Sequence, residues 1–247
     1  MRIVVVGASS GLGRCIAVDR GRRGDRVALL ARRTDRLTEA AADAGSDSFA
    51  VRCDVTDEAS CRDSIDEAVA TLGGLDALVY ATGVGNLRRI ADIDAEAWRH
   101  AFDTNVIGAS LVTAAAIPHL EATTGVAVYL STVQGSLTPP WPGLGSYAVS
   151  KAALDKLVEA WRQEHPTVGF TRVSVGECAG GEGPAMTQFA DGWDAELAAE
   201  VMPLWIDRNY MTGLLIDIDE LHRALHAVLS LTATASIPSV TVMPRHQ

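Results

Sequence analysis

A tyrosine and a lysine four residues apart, Tyr147 and Lys151, are the pair in this sequence best suited to proton transfer. At that spacing on a helix, two side chains share one face. A free phenol has a pKa of about 10, which is too high for efficient proton transfer at neutral pH, and a nearby ammonium lowers it. Because Tyr-x-x-x-Lys is common on helix surfaces, the pair indicates catalysis only where other elements place it at a binding site.

A glycine-rich turn follows the first strand-like segment. Residues 2–6 are a short β-branched run, and apolar residues at helical spacing resume at Leu12. Glycine permits a sharp turn or the close approach of a phosphate, which the N-terminus of the next helix would then face. The alternative is an ordinary tight connection between strand and helix. The predicted nucleotide-phosphate site comprises Gly7, Ser9, Ser10, Gly11, Leu12 and Gly13.

Two arginines, Arg32 and Arg33, follow the second strand-like segment, residues 27–31. In a doubly wound fold this position meets the adenosine ribose, where NAD-binding proteins place a carboxylate. A guanidinium instead binds a 2′-phosphate through charge-assisted, forked hydrogen bonds. The alternative is a solvated pair of charges at the start of a helix. We therefore predict NADP(H) rather than NAD(H) as the cofactor, with Arg32 setting the preference.

Strand-like and helix-like segments alternate along the chain, which predicts a doubly wound α/β fold with a parallel sheet of about seven strands. The length of 247 residues suits a single domain, 1–247. The irregular, glycine-bearing segment 176–212 is predicted to be a substrate lid, with a merely decorative loop as the alternative. Predicted strands lie near 2–6, 27–31, 49–51, 77–80, 126–130, 170–175 and 240–242, and predicted helices near 35–44, 57–72 (with Thr56 as the N-cap), 96–120, 146–165 and 218–231.

The composition is that of an ordinary soluble protein, with 48% hydrophobic and 21% charged residues and a formal charge of −10. The acidic excess argues against a nucleic acid or an anionic membrane as partner. The four cysteines lack metal-ligand spacing and are expected to be reduced core thiols, so we expect a cytoplasmic protein without a metal. Because the sequence opens directly on a strand-like segment, we expect no signal peptide, and we expect no apolar run long enough to span a membrane.

These motifs together resemble those of the short-chain dehydrogenases/reductases. The glycine turn has that family's Gly-x-x-x-Gly-x-Gly spacing, with Val6 where a Thr is usual, and the Tyr147–Lys151 motif follows the fifth strand. The resemblance covers essentially the whole chain. It implies a seven-stranded Rossmann fold and the NADP(H)-dependent interconversion of a carbonyl and an alcohol. Trp141, Trp193 and Trp205 suggest an apolar or aromatic-lined pocket and hence a small, apolar substrate, with a role in the core as the alternative.

The resemblance assigns cofactor contacts beyond the glycine turn. Asp54 and Val55 would hold the adenine, although an Asp there is also a common turn or cap residue. The backbone of the segment after the fourth strand would lie close to the cofactor, at Ala81, Thr82 and Gly83. Ala81 stands where the family has an Asn that ties neighbouring strands together.

The resemblance also implies catalytic roles. Tyr147 would be the general acid and base, and Lys151 would lower its pKa and hold the nicotinamide ribose. Thr132, counted back from Gly135, would replace the family's Ser, and its hydroxyl can donate the same hydrogen bond. Asn105, within the long predicted helix, would hold a water for proton relay; a tolerated or cavity-filling Asn is the alternative.

Three departures from the family favour a rival function, a catalytically impaired NADP(H)-binding regulatory or scaffold protein. They are Ala81, Thr132 and the segment 176–181, where the family usually has Pro-Gly. The long helices also carry apolar residues beyond the face that a sheet needs, which predicts a homodimer or homotetramer. These residues are Ala101, Ile107, Leu111, Ala114 and Ala115 on the first helix and Ala148, Ala152, Ala153, Leu157 and Ala160 on the second.

Overall fold

Seven parallel strands form one sheet in the computed structural model, which describes residues 1–231 and 233–245. They are β1 (Arg2–Val6), β2 (Arg26–Ala31), β3 (Ser48–Arg52), β4 (Ala77–Tyr80), β5 (Val126–Thr132), β6 (Gly169–Val175) and β7 (Ser239–Val242). Their order is β3-β2-β1-β4-β5-β6-β7, so β1 pairs with both β2 and β4. The strand order reverses between β1 and β4, because β2 and β3 lie on one side of β1 and β4 to β7 on the other. Open α/β sheets bind ligands at such a reversal.

Helices cover both faces of the sheet, which confirms the predicted doubly wound fold. The apolar sides of α1, α2 and α9 pack on one face, and those of α3, α5 and α7 on the other. The helices are α1 (Gly11–Arg22), α2 (Thr34–Ala44), α3 (Glu58–Leu72), α4 (Ala95–Phe102), α5 (Gly108–Thr123), α6 (Val133–Ser136), α7 (Gly145–Glu164), α8 (Ala195–Asp207) and α9 (Ile218–Leu229).

The turn between β1 and α1 depends on its glycines. Gly7 and Gly11 have φ values of 89° and 56°, a left-handed conformation that side chains other than glycine rarely adopt. A Cβ on Gly13 would collide with the carbonyl oxygen of Gly7. The first two glycines therefore shape the turn, and the third lets α1 pack closely on β1.

Two helix predictions need correction. The N-cap of α3 is Asp57 rather than Thr56, because the Asp57 carboxylate accepts from the N–H of Ser60 at 2.9 Å. Thr56 is instead held by Asp54, which accepts from its N–H and hydroxyl. The long helix predicted over 96–120 is interrupted by a π-helical turn, Asp103–Ile107, between α4 and α5. Such turns are frequent at functional sites.

The continuous helical run Ala95–Thr123 is long and apolar enough, by length and composition alone, to cross a membrane. The prediction that no apolar run reaches that length is therefore wrong for this helix. Its buried side chains, among them Val112, Ala116 and Leu120, pack into the core beside the sheet. All four cysteines are free thiols, and no metal-binding cluster occurs among residues 1–231 and 233–245.

The segment 176–212, predicted to be a lid, folds over one end of the sheet. It contains a 3₁₀ turn, Gly183–Ala185, and then α8. Val201 and Trp205 of α8 are buried with Leu87 and Leu144, which lie outside the segment. This apolar cluster fastens the lid segment to the rest of the domain.

The outer faces of α4, α5 and α7 differ in part from the prediction. Ala101 and Ala148, expected on a contact surface between subunits, are 2% and 1% exposed and belong to the core. Ile107, by contrast, is 48% exposed. A contact surface on these helices would therefore use Ile107 and its neighbours rather than the two alanines.

Candidate active site

A cleft of about 740 Å³ runs along the carboxyl ends of the strands and beneath the lid segment. Its volume lies in the range of small-molecule and cofactor sites. Gly13 and Asn105, which are buried, support its walls. The other predicted site residues line it: Gly7, Ser9, Ser10, Gly11, Leu12, Arg32, Arg33, Asp54, Val55, Ala81, Thr82, Gly83, Thr132, Tyr147 and Lys151.

Tyr147 lies in the first turn of α7 and, with Thr132 at the end of β5, lines the cleft. Burial raises the pKa of its phenol to about 12, and a hydrogen bond with the Thr132 side chain offsets part of that rise. The buried carboxylate of Asp155, two helical turns further along α7, also raises the phenol's pKa. Tyr147 is therefore protonated at neutral pH, with a hydroxyl neighbour where a substrate oxygen would approach.

Lys151 lies behind the tyrosine and is 3% exposed. Its ammonium donates to the carbonyl oxygen of Leu130 at 2.8 Å and lies 6.0 Å from the centre of the Tyr147 ring. Burial lowers the pKa of Lys151 to about 8, although the charge of Asp155 raises it in part. Burial outweighs a cation at this distance, so the pKa of the phenol lies above its usual value, and the role of Lys151 in lowering it stays a prediction.

Asn105 lies in the π-helical turn and is fully buried. Its amide oxygen accepts from the N–H of Val84 at 2.8 Å, and its amide nitrogen donates to the Val84 carbonyl at 2.9 Å and to the Ser150 hydroxyl at 2.8 Å. Asn105 thus ties the loop after β4 to α7. The π turn aims this side chain inward, and no feature of the sequence marked Ser150 as its partner.

Arg33, one of the two arginines predicted to bind a 2′-phosphate, contacts the glycine turn. Its guanidinium donates to the hydroxyls of Ser9 and Ser10 at 2.7 and 2.9 Å. Burial, together with the charges of Arg36 and Arg32, lowers the pKa of Arg33. Arg32 is exposed, and its charge acts on the carboxylate of Asp54 across the same end of the cleft. Three guanidinium groups therefore gather where a 2′-phosphate was predicted.

The lid segment covers the tyrosine with aromatic rings. The ring centres of Phe189 and Tyr147 lie 4.7 Å apart. Trp193 packs edge-on against Phe189, with 5.5 Å between their ring centres. Trp193 is anchored by a hydrogen bond to the carbonyl of Gly85, and a Cβ on Gly85 would lie 2.5 Å from the Phe189 ring. The cleft near Tyr147 is consequently apolar and aromatic.

Comparison with known proteins decides the family. The family model described as short chain dehydrogenase matches residues 1–193. The chain is a member of the short-chain dehydrogenase family. Its glycine turn and its Tyr147–Lys151 motif both lie within the matched residues.

The most similar relatives include an 11-beta-hydroxysteroid dehydrogenase A of Sesamum indicum, which is 35% identical over 180 residues. That match covers 70% of this chain and 51% of the relative. An 11-beta-hydroxysteroid dehydrogenase-like 4A of Arabidopsis thaliana is 34% identical over 184 residues, covering 70% of this chain and 60% of the relative. The chain thus spans about half the length of the first of these short-chain dehydrogenases and three fifths of the second.

Solved structures share the fold over nearly the whole chain. A short-chain type dehydrogenase/reductase from Mycobacterium marinum is 25% identical, with a TM-score of 0.82 over 98% of this chain and 93% of the other. An alcohol dehydrogenase from the archaeon Thermococcus sibiricus, complexed with 5-hydroxy-NADP, is 23% identical, with a TM-score of 0.81 over 97% and 94%.

The segment after β6, where short-chain dehydrogenases usually have Pro-Gly, is tied to the end of the lid. The Glu177 carboxylate accepts from the N–H and the hydroxyl of Thr212 at 2.9 and 3.2 Å. The Glu177 carbonyl accepts from the N–H of Ile216 at 2.7 Å. This departure from the family pattern therefore gives the lid segment a fixed attachment at its C-terminal end.

Proposed function

We propose that this short-chain dehydrogenase is an NADP(H)-dependent oxidoreductase that interconverts a carbonyl and an alcohol on a small, apolar substrate. The observation that carries the proposal is the position of the Tyr147 phenol beside the Thr132 side chain in one cleft, one helical turn from a buried lysine. The same cleft holds the glycine turn and the arginines. Catalytic and nucleotide-binding groups therefore share one site.

The chain's own groups fit an NADP-type nucleotide. The side chain of Ser10, at the N-cap of α1, accepts from Arg33 rather than capping the helix. The first N–H groups of α1 are thus available to a phosphate, and the helix dipole favours the negative charge. Arg32, Arg33 and Arg36 supply cations whose mutual repulsion a 2′-phosphate would relieve. Asp54 and Val55 line the far end of the cleft, where an adenine would lie.

The nicotinamide of NADPH, when bound, supplies the hydride. Tyr147 is protonated at neutral pH and donates its proton to the substrate oxygen in the reductive direction, and it accepts a proton in the reverse direction. Thr132 holds the substrate oxygen by a hydrogen bond from its hydroxyl. Lys151 holds a positive charge behind the phenol below its pKa of about 8, and this charge favours the phenolate as the proton leaves.

Phe189 and Trp193 exclude water from the phenol and present apolar surfaces to the substrate. This lining supports a small, apolar carbonyl compound as substrate and the segment 176–212 as its lid. We further propose a cytoplasmic homodimer or homotetramer that acts on this small molecule alone, without nucleic acid or membrane.

The test is the oxidation of NADPH and of NADH, followed by absorbance, over a panel of ketones and aldehydes. A ketosteroid belongs in the panel because the relatives described above are named hydroxysteroid dehydrogenases. We expect turnover with NADPH on at least one apolar carbonyl, and turnover lower by roughly 10²–10⁴-fold in Tyr147→Phe. Binding of NADPH without turnover on any compound would contradict the proposal and favour the rival regulatory or scaffold protein.

A further inference from the structure

Three consecutive residues of the lid segment contact three different parts of the site. Thr187 lies over the glycine turn, since a Cβ on Gly11 would be 3.4 Å from the Thr187 Cα. Phe189 packs on the ring of Tyr147 at 4.7 Å. Gln188, between them, reaches the arginines that follow β2. One short stretch of chain therefore joins the phosphate end of the cleft to its catalytic end.

The amide oxygen of Gln188 is a hydrogen-bond acceptor shared by two arginines. It accepts from Nη1 of Arg33 and, at 2.7 Å, from Nη1 of Arg36. The other terminal nitrogen of Arg33 donates to the hydroxyls of Ser9 and Ser10. Two cations thus converge on one neutral oxygen, in a place where their repulsion would favour an anion.

The nearby carboxylates do not replace that anion. The charges of Asp35 and Asp191 act favourably on Arg33, but their effect is smaller than the combined effect of burial and of the neighbouring arginines, so the pKa of Arg33 remains lowered. The two Nη1 atoms donate to the amide oxygen of Gln188 rather than to a carboxylate. The acceptor on which the two guanidinium groups converge is therefore neutral, and an anion in its place would form stronger, charge-assisted hydrogen bonds with both.

We propose that Gln188 is a specificity-determining residue for the cofactor: its oxygen holds Arg33 and Arg36 until a 2′-phosphate takes them. The inference rests on the proposed function, because it assumes an NADP-type ligand. A phosphate carries up to two negative charges and three acceptor oxygens, so it competes with a neutral amide for the same N–H groups. A ribose 2′-hydroxyl has no charge and leaves the amide in place.

Displacement of Gln188 has a consequence at the catalytic end. Phe189 follows it directly in the chain and packs on Tyr147, with Trp193 behind. Release of Gln188 by a 2′-phosphate therefore acts on the segment that covers the phenol, whereas a ligand without the phosphate leaves Gln188 on the arginines. Through Gln188, the lid segment competes with the 2′-phosphate for the arginines.

The test uses nucleotides that lack a nicotinamide, so that binding is measured without chemistry. Adenosine 2′,5′-bisphosphate and ADP are titrated by calorimetry against the wild type, Gln188→Ala, Gln188→Glu and a control, Gln163→Glu. Gln163 is exposed near the far end of α7, so its substitution makes the same change of charge away from the site.

We expect Gln188→Ala to bind the bisphosphate about threefold to tenfold more tightly, because a competing acceptor is removed. Gln188→Glu should bind it at least about tenfold more weakly, because a carboxylate both retains the arginines and repels the phosphate. The affinity for ADP should stay within about twofold in both variants, and Gln163→Glu should behave as the wild type.

Unchanged affinity for the bisphosphate in both Gln188 variants would overturn the inference while leaving NADP(H) as the cofactor. Weaker binding in Gln188→Ala would also overturn it, because the amide would then be a ligand of the phosphate rather than its competitor. The wild-type titrations distinguish a failure of this inference from a failure of the proposed function. If the wild type binds ADP as tightly as the bisphosphate, the NADP(H) assignment fails and the inference fails with it.

Discussion

The ammonium of Lys151 lies 6.0 Å from the centre of the Tyr147 ring and donates to the carbonyl of Leu130. The two side chains share one face of α7, and burial shifts the pKa of each towards its neutral form. Burial lowers its pKa from 10.5 to about 8, whereas burial raises that of the phenol to about 12. The protein therefore keeps a charge at a buried position where the charge costs stability.

That cost predicts a pH dependence of stability. Between pH 8 and 10.5 the unfolded chain holds a proton on Lys151 that the folded protein does not, so the free energy of unfolding rises with pH across this window. Over the whole window, the deprotonation of Lys151 contributes about 3 kcal/mol to the free energy of unfolding. It should appear as the difference between the wild type and Lys151→Met in urea denaturation at pH 7.5 and at about pH 10.5.

Lys151→Met keeps an apolar stem of similar length and removes the titrating group. We expect the wild type to gain stability relative to this variant as the pH rises. Parallel changes in the two proteins would show that the ammonium is not desolvated in the folded state.

The fold was predictable because each strand is a short apolar run followed by a turn or a helix. The run 2–6, for example, is too short for a helix and ends at Gly7. The π turn around Asn105 was not predictable, because its residues have the same apolar spacing as the helices on either side. The correct cap at Asp57 was missed because Thr56 and Asp57 are both good N-cap residues.

Cofactor choice should depend on the residues that follow β2. Ala31→Asp combined with Arg32→Ala places a carboxylate where a 2′-phosphate would lie and removes a cation. A charge-assisted hydrogen bond contributes about 1.5–3 kcal/mol, so NADP(H) should bind at least about tenfold more weakly and NAD(H) should not. Fluorescence titration of both nucleotides measures this.

Arg33→Ala should give a larger loss of NADP(H) affinity than Arg32→Ala, since Arg33 is the residue bonded to Ser9 and Ser10. Arg62→Ala is the matched control, because Arg62 is exposed on α3 and pairs with Asp63. Equal affinity for NADP(H) in all of these variants would refute the assignment of the phosphate site.

The hydroxyl at position 132 should matter more than its methyl group. Thr132→Ser keeps the donor beside Tyr147 and widens the pocket, so turnover should be kept or raised. Thr132→Val keeps the shape but removes the hydroxyl, and turnover should fall about 100-fold. Steady-state kinetics with NADPH on the best substrate compares the two, and similar turnover in both would exclude the hydroxyl from the mechanism.

Assembly is expected through the exposed side of the π-helical turn, α5 and α7, where Ile107 of the turn is 48% and Val149 of α7 45% exposed. Helices with a second apolar face need a partner. Light scattering at micromolar concentration should give at least twice the chain mass of 26.1 kDa. A wild-type mass equal to that of one chain would contradict the prediction. The variant Ile107→Glu should have a lower mass than the wild type, closer to that of the monomer.

The lid contacts could not be predicted because they join residues far apart in sequence. Gln188 and Arg33 are separated by 155 positions, and neither belongs to a motif that points to the other. Phe189 likewise meets Tyr147 only because Glu177 and α8 fasten the segment over the cleft. Patterns within a segment predict strands and helices, whereas packing between distant segments fixes the pocket.

The most direct test of the account is Tyr147→Phe, with steady-state turnover and NADP(H) titration measured on the same preparation. General acid catalysis contributes roughly 10²–10⁴-fold, so turnover should fall by about that factor. Lys151→Ala, measured alongside, should lower both turnover and NADP(H) affinity. Cofactor affinity in Tyr147→Phe should stay within about threefold, because the phenylalanine keeps the ring against Phe189. Near-normal turnover in Tyr147→Phe would remove the phenol from the mechanism and contradict the account.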